Sequence, residues 1–266
     1  FRRVLFRSVL DGEAEEGKWE VGMSYRWLHS HRHFVKDWEQ KQRAQLGNEV
    51  VNDSHFFDVT GTYHISPRYS AAVVLPFVYS DRSSLYEHDR VTRHSSQAGG
   101  ISDMRLATYA WLWDPATAKK GNFQVGLGLK LPTGEYDATD MFYTTNGLVR
   151  GYVDQSIQPG DGGWGFTLEA NGYRQLFMPR LSGYMQAYYL FNPMDQNGTS
   201  TKSGTARANP FEQNTSIPDQ YLGRVGLAYT LLPSWGLQLF CGGRVEGVPV
   251  EDVLGASHGF RRPGFA

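Results

Sequence analysis

The amino-acid sequence predicts an all-β fold, an antiparallel up-and-down transmembrane β-barrel. Three observations support this prediction. Nine segments of about ten residues alternate apolar and polar side chains, as the strands of a barrel do. The connections between the segments alternate between short and long. The charged residues of the segments lie almost entirely on one parity, so each predicted strand has one apolar face and one polar face.

The first segment, residues 18–31, has the clearest alternation. Its apolar and aromatic residues are Trp19, Val21, Met23, Tyr25 and Trp27, with polar, charged or glycine residues between them. Since successive side chains of a strand point to opposite faces, this segment has one face for an apolar environment. A soluble barrel would turn that face inward, whereas a membrane barrel would turn it outward to lipid.

Eight further segments repeat the pattern. Their alternating apolar residues fall within 57–65, 69–79, 104–112, 123–131, 164–170, 181–191, 225–231 and 237–245. Repetition of this kind, with turn residues between the segments, predicts a meander in which nine strands are visible. Because bacterial single-chain barrels have an even number of strands, we expect ten or twelve strands in the full protein.

The opposite parity carries the residues that we predict to line the lumen. They are Glu20, Arg26, Asp58, His64, Asp103, Arg105, Lys130, Glu169, Arg224, Arg244 and Glu246. A soluble protein with this face inward would bury about ten charges of mixed sign, at several kcal/mol each. A membrane barrel keeps them in a hydrated lumen. We therefore expect serine at Gly126 or Gly128, on the lumen side, to be milder than arginine at Leu127, on the lipid side.

The connections and the segment ends separate the membrane barrel from a soluble one. Short connections lie at 66–69, 114–121, 175–180 and 232–236, and long ones at 32–55, 81–99, 133–162, 192–219 and 247–266. This alternation is typical of short periplasmic turns and long extracellular loops. A short helix is predicted within 37–46. The segment ends carry the aromatic residues of interfacial girdles, namely Trp27, Tyr63, Tyr69, Tyr79, Tyr189 and Trp235. A soluble barrel would explain the alternation equally well, but not these two features.

Composition excludes several other classes of protein. The formal net charge is −1 without a basic cluster, which gives no reason to expect a nucleic-acid partner. The single cysteine, Cys241, excludes an internal disulfide framework and a Cys-rich zinc site. No apolar run approaches the roughly 18 residues that a membrane-spanning helix needs.

The chain divides into three parts. Residues 1–8, "FRRVLFRS", match the translation of a common sequencing adapter, and we expect them to be non-native. Residues 9–17 are predicted to be an N-terminal lead-in, and residues 18–266 the barrel. We expect the native signal peptide and at least one closing C-terminal strand to be missing from this sequence.

No residue pattern predicts catalysis or a cofactor. His29, His31 and His33 share one strand face with spacing that could hold a metal, but no fourth ligand is identifiable, which favours an interfacial polar cluster. The stretch 195–204 begins like a calcium loop but lacks the acidic residue that closes one. Glu135, Asp137 and Asp140 cluster within 131–140, where the alternatives are surface calcium and a solvated loop, and the solvated loop is favoured. The sequence lacks G-x-S-x-G, P-loop and H-E-x-x-H motifs. We therefore predict no enzyme, no cofactor and no metal site.

Four motifs resemble those of a bacterial outer-membrane family. They are "SSLYEHD" (83–89), "GLKLPTGEYDATD" (128–140), "DQSIQPGDGGWG" (154–165) and "GFRRPGF" (259–265), in this order along the chain. Together they resemble the meta-pathway phenol-degradation-like outer-membrane proteins, also described as outer-membrane transporters. The resemblance covers roughly residues 18–266. It implies a barrel in the bacterial outer membrane and a link to aromatic compounds, without catalytic residues that could be carried over.

These observations predict passive passage of small molecules, aromatic or otherwise hydrophobic ones by the resemblance. The expected partners are outer-membrane lipid and small-molecule solutes, and the oligomeric state is left open. The alternative is a non-transporting structural or surface-binding barrel that acts through its long loops. An outer-membrane enzyme whose site is assembled without a local motif ranks third.

Overall fold

The computed structural model describes residues 16–35, 38–194, 196–206, 214–235 and 237–247. In chain order the strands are β1 (Trp19–Ser30), β2 (Phe34–Val35), β3 (Trp38–Glu39), β4 (Val51–His64), β5 (Tyr69–Ser84), β6 (His94–Ile101), β7 (Arg105–Trp111), β8 (Gly121–Lys130), β9 (Thr139–Thr144), β10 (Gly147–Tyr152), β11 (Gly165–Gln175), β12 (Leu181–Phe191), β13 (Gln196–Ser200), β14 (Asn214–Ser216), β15 (Gln220–Leu232) and β16 (Leu237–Gly247). One short helix, α1 (Gln42–Gln45), and two 3₁₀ turns, Gln155–Ile157 and Pro233–Trp235, complete the described elements.

Ten of these strands form one antiparallel sheet. Its order is β1-β4-β5-β7-β8-β11-β12-β15-β16, and β6 pairs with β5 beside this path. The nine strands of the path coincide with the nine predicted segments, which confirms the all-β antiparallel meander. The sheet curls into a half-barrel whose edge strands are β1 and β16. Three small hairpins, β2–β3, β9–β10 and β13–β14, lie in the connections.

The two faces of the sheet differ in character, as the alternation predicts. Large apolar side chains project from the convex outer face, where Met23 is 73% exposed, Leu127 65% and Val225 62%. The polar parity points to the concave inner face, where most side chains are half-buried or buried. No helix within the described ranges has the length and hydropathy of a membrane span.

A β-bulge interrupts the wall between β6 and β7. Phe77 of β5 pairs with Ile101, but Val74 pairs with Arg105, so the register slips by one residue across the break. Pro76 explains the position of the break, because it accepts a hydrogen bond from the Ser102 N–H at 2.8 Å but has no N–H to donate in return. Asp103 lies within this break, on the inner side.

The last four residues of β5 and most of β6 lie within 81–99, where the sequence predicts a loop. This prediction is wrong at both ends of the stretch and holds for residues 85–93. Both faces of these strands are polar, so their period-2 pattern cannot be read from hydropathy. Residues 133–162 and 192–219 likewise contain hairpins rather than irregular loop alone. The helix predicted within 37–46 is shorter than expected, at Gln42–Gln45, because Trp38 and Glu39 belong to β3.

Candidate functional site

The candidate functional site is the inner face of the half-barrel together with the loop that covers part of it. The eleven predicted lumen residues lie on inner positions of the strands or, for Asp103, in the bulge. Three are buried (Asp103, Lys130 and Glu169), six are half-buried (Glu20, Arg26, Asp58, His64, Arg105 and Arg224), and two on the edge strand β16 are exposed (Arg244 and Glu246). They do not converge on one centre: eight form three groups along the wall, and Arg224, Arg244 and Glu246 lie on β15 and the edge strand β16.

The first group lies at the middle of the wall, on β7, β11 and β12. The Tyr109 hydroxyl donates a hydrogen bond to Glu169 Oε2 at 3.1 Å. Tyr188, directly opposite Glu169 in the β11–β12 register, accepts one from Arg105 Nη1 at 3.1 Å. A buried carboxylate and a half-buried arginine thus each bond to a tyrosine of the inner face. These bonds satisfy part of the hydrogen-bonding capacity of both charged groups.

Tyrosines on the inner face cross over glycines of the neighbouring strands. The Tyr109 ring covers Gly126, where a Cβ atom would lie 2.6 Å from the ring. The Tyr184 hydroxyl covers Gly226 of β15 in the same way, with a Cβ approach of 2.6 Å. An aromatic ring over a strand glycine fills the space that a missing side chain leaves. The structure places Gly126 on the predicted inner face, but beneath the Tyr109 ring. A serine there would meet this ring, and its effect relative to arginine at Leu127 stays a prediction.

Gly128 is also more crowded than its parity predicts. A Cβ atom there would lie 2.5 Å from Thr167 Oγ1 and 2.6 Å from the Leu106 carbonyl oxygen. A hydroxymethyl group has no space at this position without movement of the backbone of β7 or the side chain of β11. Sequence parity identified the correct face for both glycines, but parity alone carries no information on what packs above them.

The second group lies on β1 and β4, the first two strands of the sheet. The Arg26 guanidinium stacks on the Phe56 ring, 3.7 Å from its centre. Asp58 accepts a hydrogen bond from the Ser24 hydroxyl at 3.2 Å. His64 Nε2 and Glu20 Oε2 are 3.3 Å apart. All three contacts join β1 to β4 across one face, as cross-strand pairs of a sheet do.

The two edges of the sheet face each other across the concave space. Arg26 on β1 is within electrostatic range of Glu246 and Arg244 on β16. Arg244 is paired with Glu246 on its own strand. Arg224 of β15 lies opposite Arg244 in the register and places its guanidinium 5.3 Å from the centre of the Tyr184 ring. Charges of both signs therefore line the opening between the edges.

The third group is a buried ion cluster at the outer ends of β7, β8 and β11. Lys130 pairs with the Asp161 carboxylate, and its Nζ is 3.8 Å from Asp103 Oδ2. The two oxygens of Asp103 accept backbone N–H bonds from Gly134 at 3.0 Å and from Asp161 at 3.1 Å. Gly134 and Gly160 are in direct backbone contact, since a Cβ atom on either would lie within 3 Å of the other. The cluster pins both ends of the β8–β11 connection to the wall.

A second ion cluster near the outer end of β5 was missed by the sequence analysis. Glu87 is 1% exposed and pairs with Arg82 at 2.7 Å, and the Arg82 Nη2 atom is also 3.2 Å from Asp154 Oδ2. The Ser84 hydroxyl donates to Glu87 at 3.1 Å. Continuing the parity of β5 beyond Tyr79 would have placed Arg82 on the inner face. Nothing in the sequence pairs it with residues of a distant loop.

The three histidines of the first segment do not form a metal site. His29 pairs with Asp53 at 2.8 Å, and the His29 and His31 rings are 5.1 Å apart on the outer end of β1. His33 bonds instead to the backbone of Val50, whose N–H donates to Nε2 at 2.9 Å. Among the residues that the structure describes, no group of three or more His, Cys, Asp or Glu side chains is arranged to hold a metal ion.

His88 is a buried histidine in the connection between β5 and β6. Its Nδ1 accepts the Tyr143 N–H at 3.2 Å, and its ring packs 5.0 Å from Phe142 and 5.3 Å from His94, centre to centre. Burial, and then the neighbouring His94, lower the pKa of His88, against weaker opposing effects of Asp89 and Asp140. The folded protein therefore disfavours the imidazolium form.

This pKa shift predicts that the outer connections loosen in acid. Because the unfolded chain binds a proton at the ordinary histidine pKa of about 6.5 and the folded chain at a lower pKa, stability falls as pH drops through that window. We expect the protection factor of the Tyr143 amide, which is the intrinsic exchange rate divided by the observed rate at the same pH, to be smaller at pH 5 than at pH 7.5. His88→Asn keeps an acceptor but cannot titrate, and should remove this loss of protection. An unchanged pH dependence in this variant would contradict the assignment.

Comparison with known proteins adds no relative: no family model matches the chain, and no curated protein matches it. Three of the four motifs that carry the family resemblance meet in pairs at the two ion clusters. Glu87 of the first motif and Asp154 of the third both contact Arg82, and Lys130 of the second motif pairs with Asp161 of the third. The fourth motif, 259–265, lies outside the described residues.

Proposed function

We propose that this protein is a bacterial outer-membrane β-barrel that lets small molecules pass passively, and that it is not an enzyme. The observation that carries the proposal is the inverted polarity of the half-barrel. Its convex face is apolar and exposed, and its concave face holds the charges. Soluble monomers rarely expose continuous apolar surface of this extent. A lipid environment removes that cost and leaves the inner charges in contact with water.

The aromatic residues of the outer face support a membrane setting of ordinary thickness. Tyr69 and Tyr79 stand at the two ends of the apolar stretch of β5, and both are about half exposed. A strand rises about 3.3 Å per residue and tilts by about 40° in a barrel, so the ten steps from Tyr69 to Tyr79 span about 25 Å. This is the height of the apolar band of outer-membrane barrels.

The proposal includes closure of the half-barrel by further strand pairing, to ten or twelve strands in all. Edge strands β1 and β16 each have a single neighbour in the described sheet. Unpaired N–H and C=O groups cost several kcal/mol each in hydrocarbon, so a membrane barrel cannot keep open edges.

The inner face suggests a selective passage rather than a wide aqueous pore. Arginines and carboxylates alternate with tyrosines along the wall, a surface suited to small polar aromatic solutes. The resemblance to phenol-degradation-like outer-membrane proteins points to the same class. The alternative, a non-transporting barrel that binds partners through its loops, is favoured by one observation: the outer connections pack against each other, as when Thr205 N–H bonds to the Glu87 carbonyl at 2.9 Å.

Planar-bilayer conductance separates these two functions. We expect the complete protein to conduct, and expect Arg224→Glu with Arg244→Glu to shift its selectivity towards cations, because charges on a narrow wall set the sign of the passing ion. Reversal potentials across a salt gradient measure the shift. The matched control is Lys119→Glu with Lys120→Glu, which makes the same change of charge in an exposed turn. Its effect should be smaller, since exposed charges are screened within about 8 Å at physiological salt. A silent wild-type protein would favour the loop-binding alternative.

A further inference from the structure

The connection between β8 and β11, residues 131–164, folds onto the inner face of the wall; it is called the strap below. Inner positions at the outer ends of β4 and β5 touch it directly. Asn52 Nδ2 donates to the Ser156 hydroxyl at 3.1 Å, and Arg82 Nη1 reaches the same hydroxyl at 3.2 Å. Because Asn52 and Arg82 share the parity of the lumen residues, the strap lies inside the curl of the sheet rather than above it.

Inner side chains at the outer ends of β5 and β6 are covered. Ser80 and Ser84 of β5 are fully buried, as is Ser96 of β6, which pairs with Arg82 in the register. Ala98, the next inner residue of β6, packs against Ala138, Phe142, Val153 and Ile157 of the strap. The strap therefore covers the inner face at the outer ends of these two strands.

The strap is fixed at its base and held by polar contacts at its far segment. The Lys130, Asp103 and Asp161 cluster anchors both of its ends. The far segment, 153–158, meets the wall through the Asp154–Arg82 ion pair and the Ser156 hydroxyl. The apolar cluster behind it is small: Ala98 of β6 with Ala138, Phe142, Val153 and Ile157 of the strap.

We propose that the strap is the gate of the passage, with Arg82 as its latch on the inner wall. This inference rests on the proposed function. Residues 153–158 are the part of the strap that moves, because one ion pair, two hydroxyl contacts and a small apolar cluster hold them to the wall and they can leave it without unfolding the sheet. The β9–β10 hairpin of the strap stays attached, since Asp140 accepts the Gln97 N–H of β6 at 2.7 Å and the Tyr143 N–H donates to His88. Arg82 stays charged without the strap, because Glu87 remains its partner. The latch therefore opens with little cost of exposing an unpaired buried charge.

The test compares three variants in a Cys241→Ser background, all in the complete protein. Asp154→Asn with Ser156→Ala removes the latch contacts but keeps Arg82 paired with Glu87. Asn52→Cys with Ser156→Cys ties the strap to the wall under oxidising conditions and frees it with a thiol reductant. Asp137→Asn with Thr145→Ala is the matched control, at exposed positions of the same strap. Conductance and amide exchange of residues 153–158 are measured for each.

We expect the latch variant to raise both amide exchange in 153–158 and conductance severalfold. The oxidised cysteine pair should conduct less than its reduced form, and the control should match the background. Equal conductance of background, latch variant and oxidised pair would overturn the gate while leaving the passage intact. Raised amide exchange with no conductance in any variant would overturn the passage and the gate together. If the latch variant fails to fold, the oxidised and reduced forms of the cysteine pair test the gate by themselves, because the two forms have the same sequence.

Discussion

Replacing Leu127 by arginine should prevent stable insertion of the protein into lipid. Leu127 stands in the middle of β8 on the outer face, between Thr108 of β7 and Leu168 of β11 in the register. Its side chain is largely exposed, so in the proposed membrane setting it contacts acyl chains. An arginine near the bilayer midplane of a barrel costs about 2–4 kcal/mol. Unfolding in urea from lipid vesicles, followed by heat-modifiable mobility, measures the loss.

The matched control places the same arginine on the opposite face of the same strand. Gln124 is half-buried on the inner side, where Asn171 Nδ2 donates to its Oε1 at 3.3 Å and Asn171 Oδ1 is a buried acceptor without a hydrogen bond. Gln124→Arg supplies a donor in polar surroundings and should cost much less. Equal losses at the two positions would mean that the outer face does not meet lipid.

Adding a single methyl group at Gly126 should also destabilise the sheet, by about 1–3 kcal/mol, as overpacking in a filled interior does. The Cβ atom of Gly126→Ala would lie 2.6 Å from two atoms of the Tyr109 ring and 3.2 Å from Glu169 Cβ. The ring cannot move aside freely, because its hydroxyl bonds to the buried Glu169 carboxylate. Equilibrium unfolding of the refolded protein gives the free-energy change.

Two comparisons isolate the contact at Gly126. Gly223→Ala adds the same methyl group to β15, where a Cβ would meet no heavy atom within 4 Å, and should be nearly neutral. Combining Gly126→Ala with Tyr109→Ala should cost less than the sum of the single changes, since the second change removes the ring that the added methyl group would meet. Additive losses, or equal losses at Gly126 and Gly223, would exclude the tyrosine-over-glycine packing as the cause.

Sequence periodicity was sufficient for the nine strands of the sheet and for the face on which each inner residue lies. It depends only on the alternation of a strand, which a single sequence carries in full. Cross-strand register is not local, so the Tyr109–Gly126 and Arg105–Tyr188 contacts could not be predicted. The contact of Trp111 could not be predicted either. This aromatic residue lies on the inner, mainly polar face of β7, for which the sequence offers no explanation. It packs edge-on against Tyr173, with ring centres 6.0 Å apart.

The strap and its latch were beyond sequence reasoning for a different reason. Where both faces of a strand are polar, hydropathy has no period, so the sequence predicts a loop at the last four residues of β5, 81–84. Arg82 and Glu87 then look like two solvated charges in a polar stretch. Their burial arises from a segment some seventy residues further along the chain, since Asp154 supplies the third charge.

Pro76 has a consequence for the order of folding. The Ser102 carbonyl, which lacks a donor on β5, accepts instead from the Thr133 hydroxyl at 2.9 Å, and that hydroxyl accepts the Met104 N–H at 2.9 Å. The bulge in the wall is therefore completed by a residue 31 positions away from Ser102 rather than by the adjacent hairpin. Closing that longer loop costs chain entropy before any contact is gained. The β5–β6–β7 region is expected to mature late, after β8 has paired and delivered Thr133 to the break.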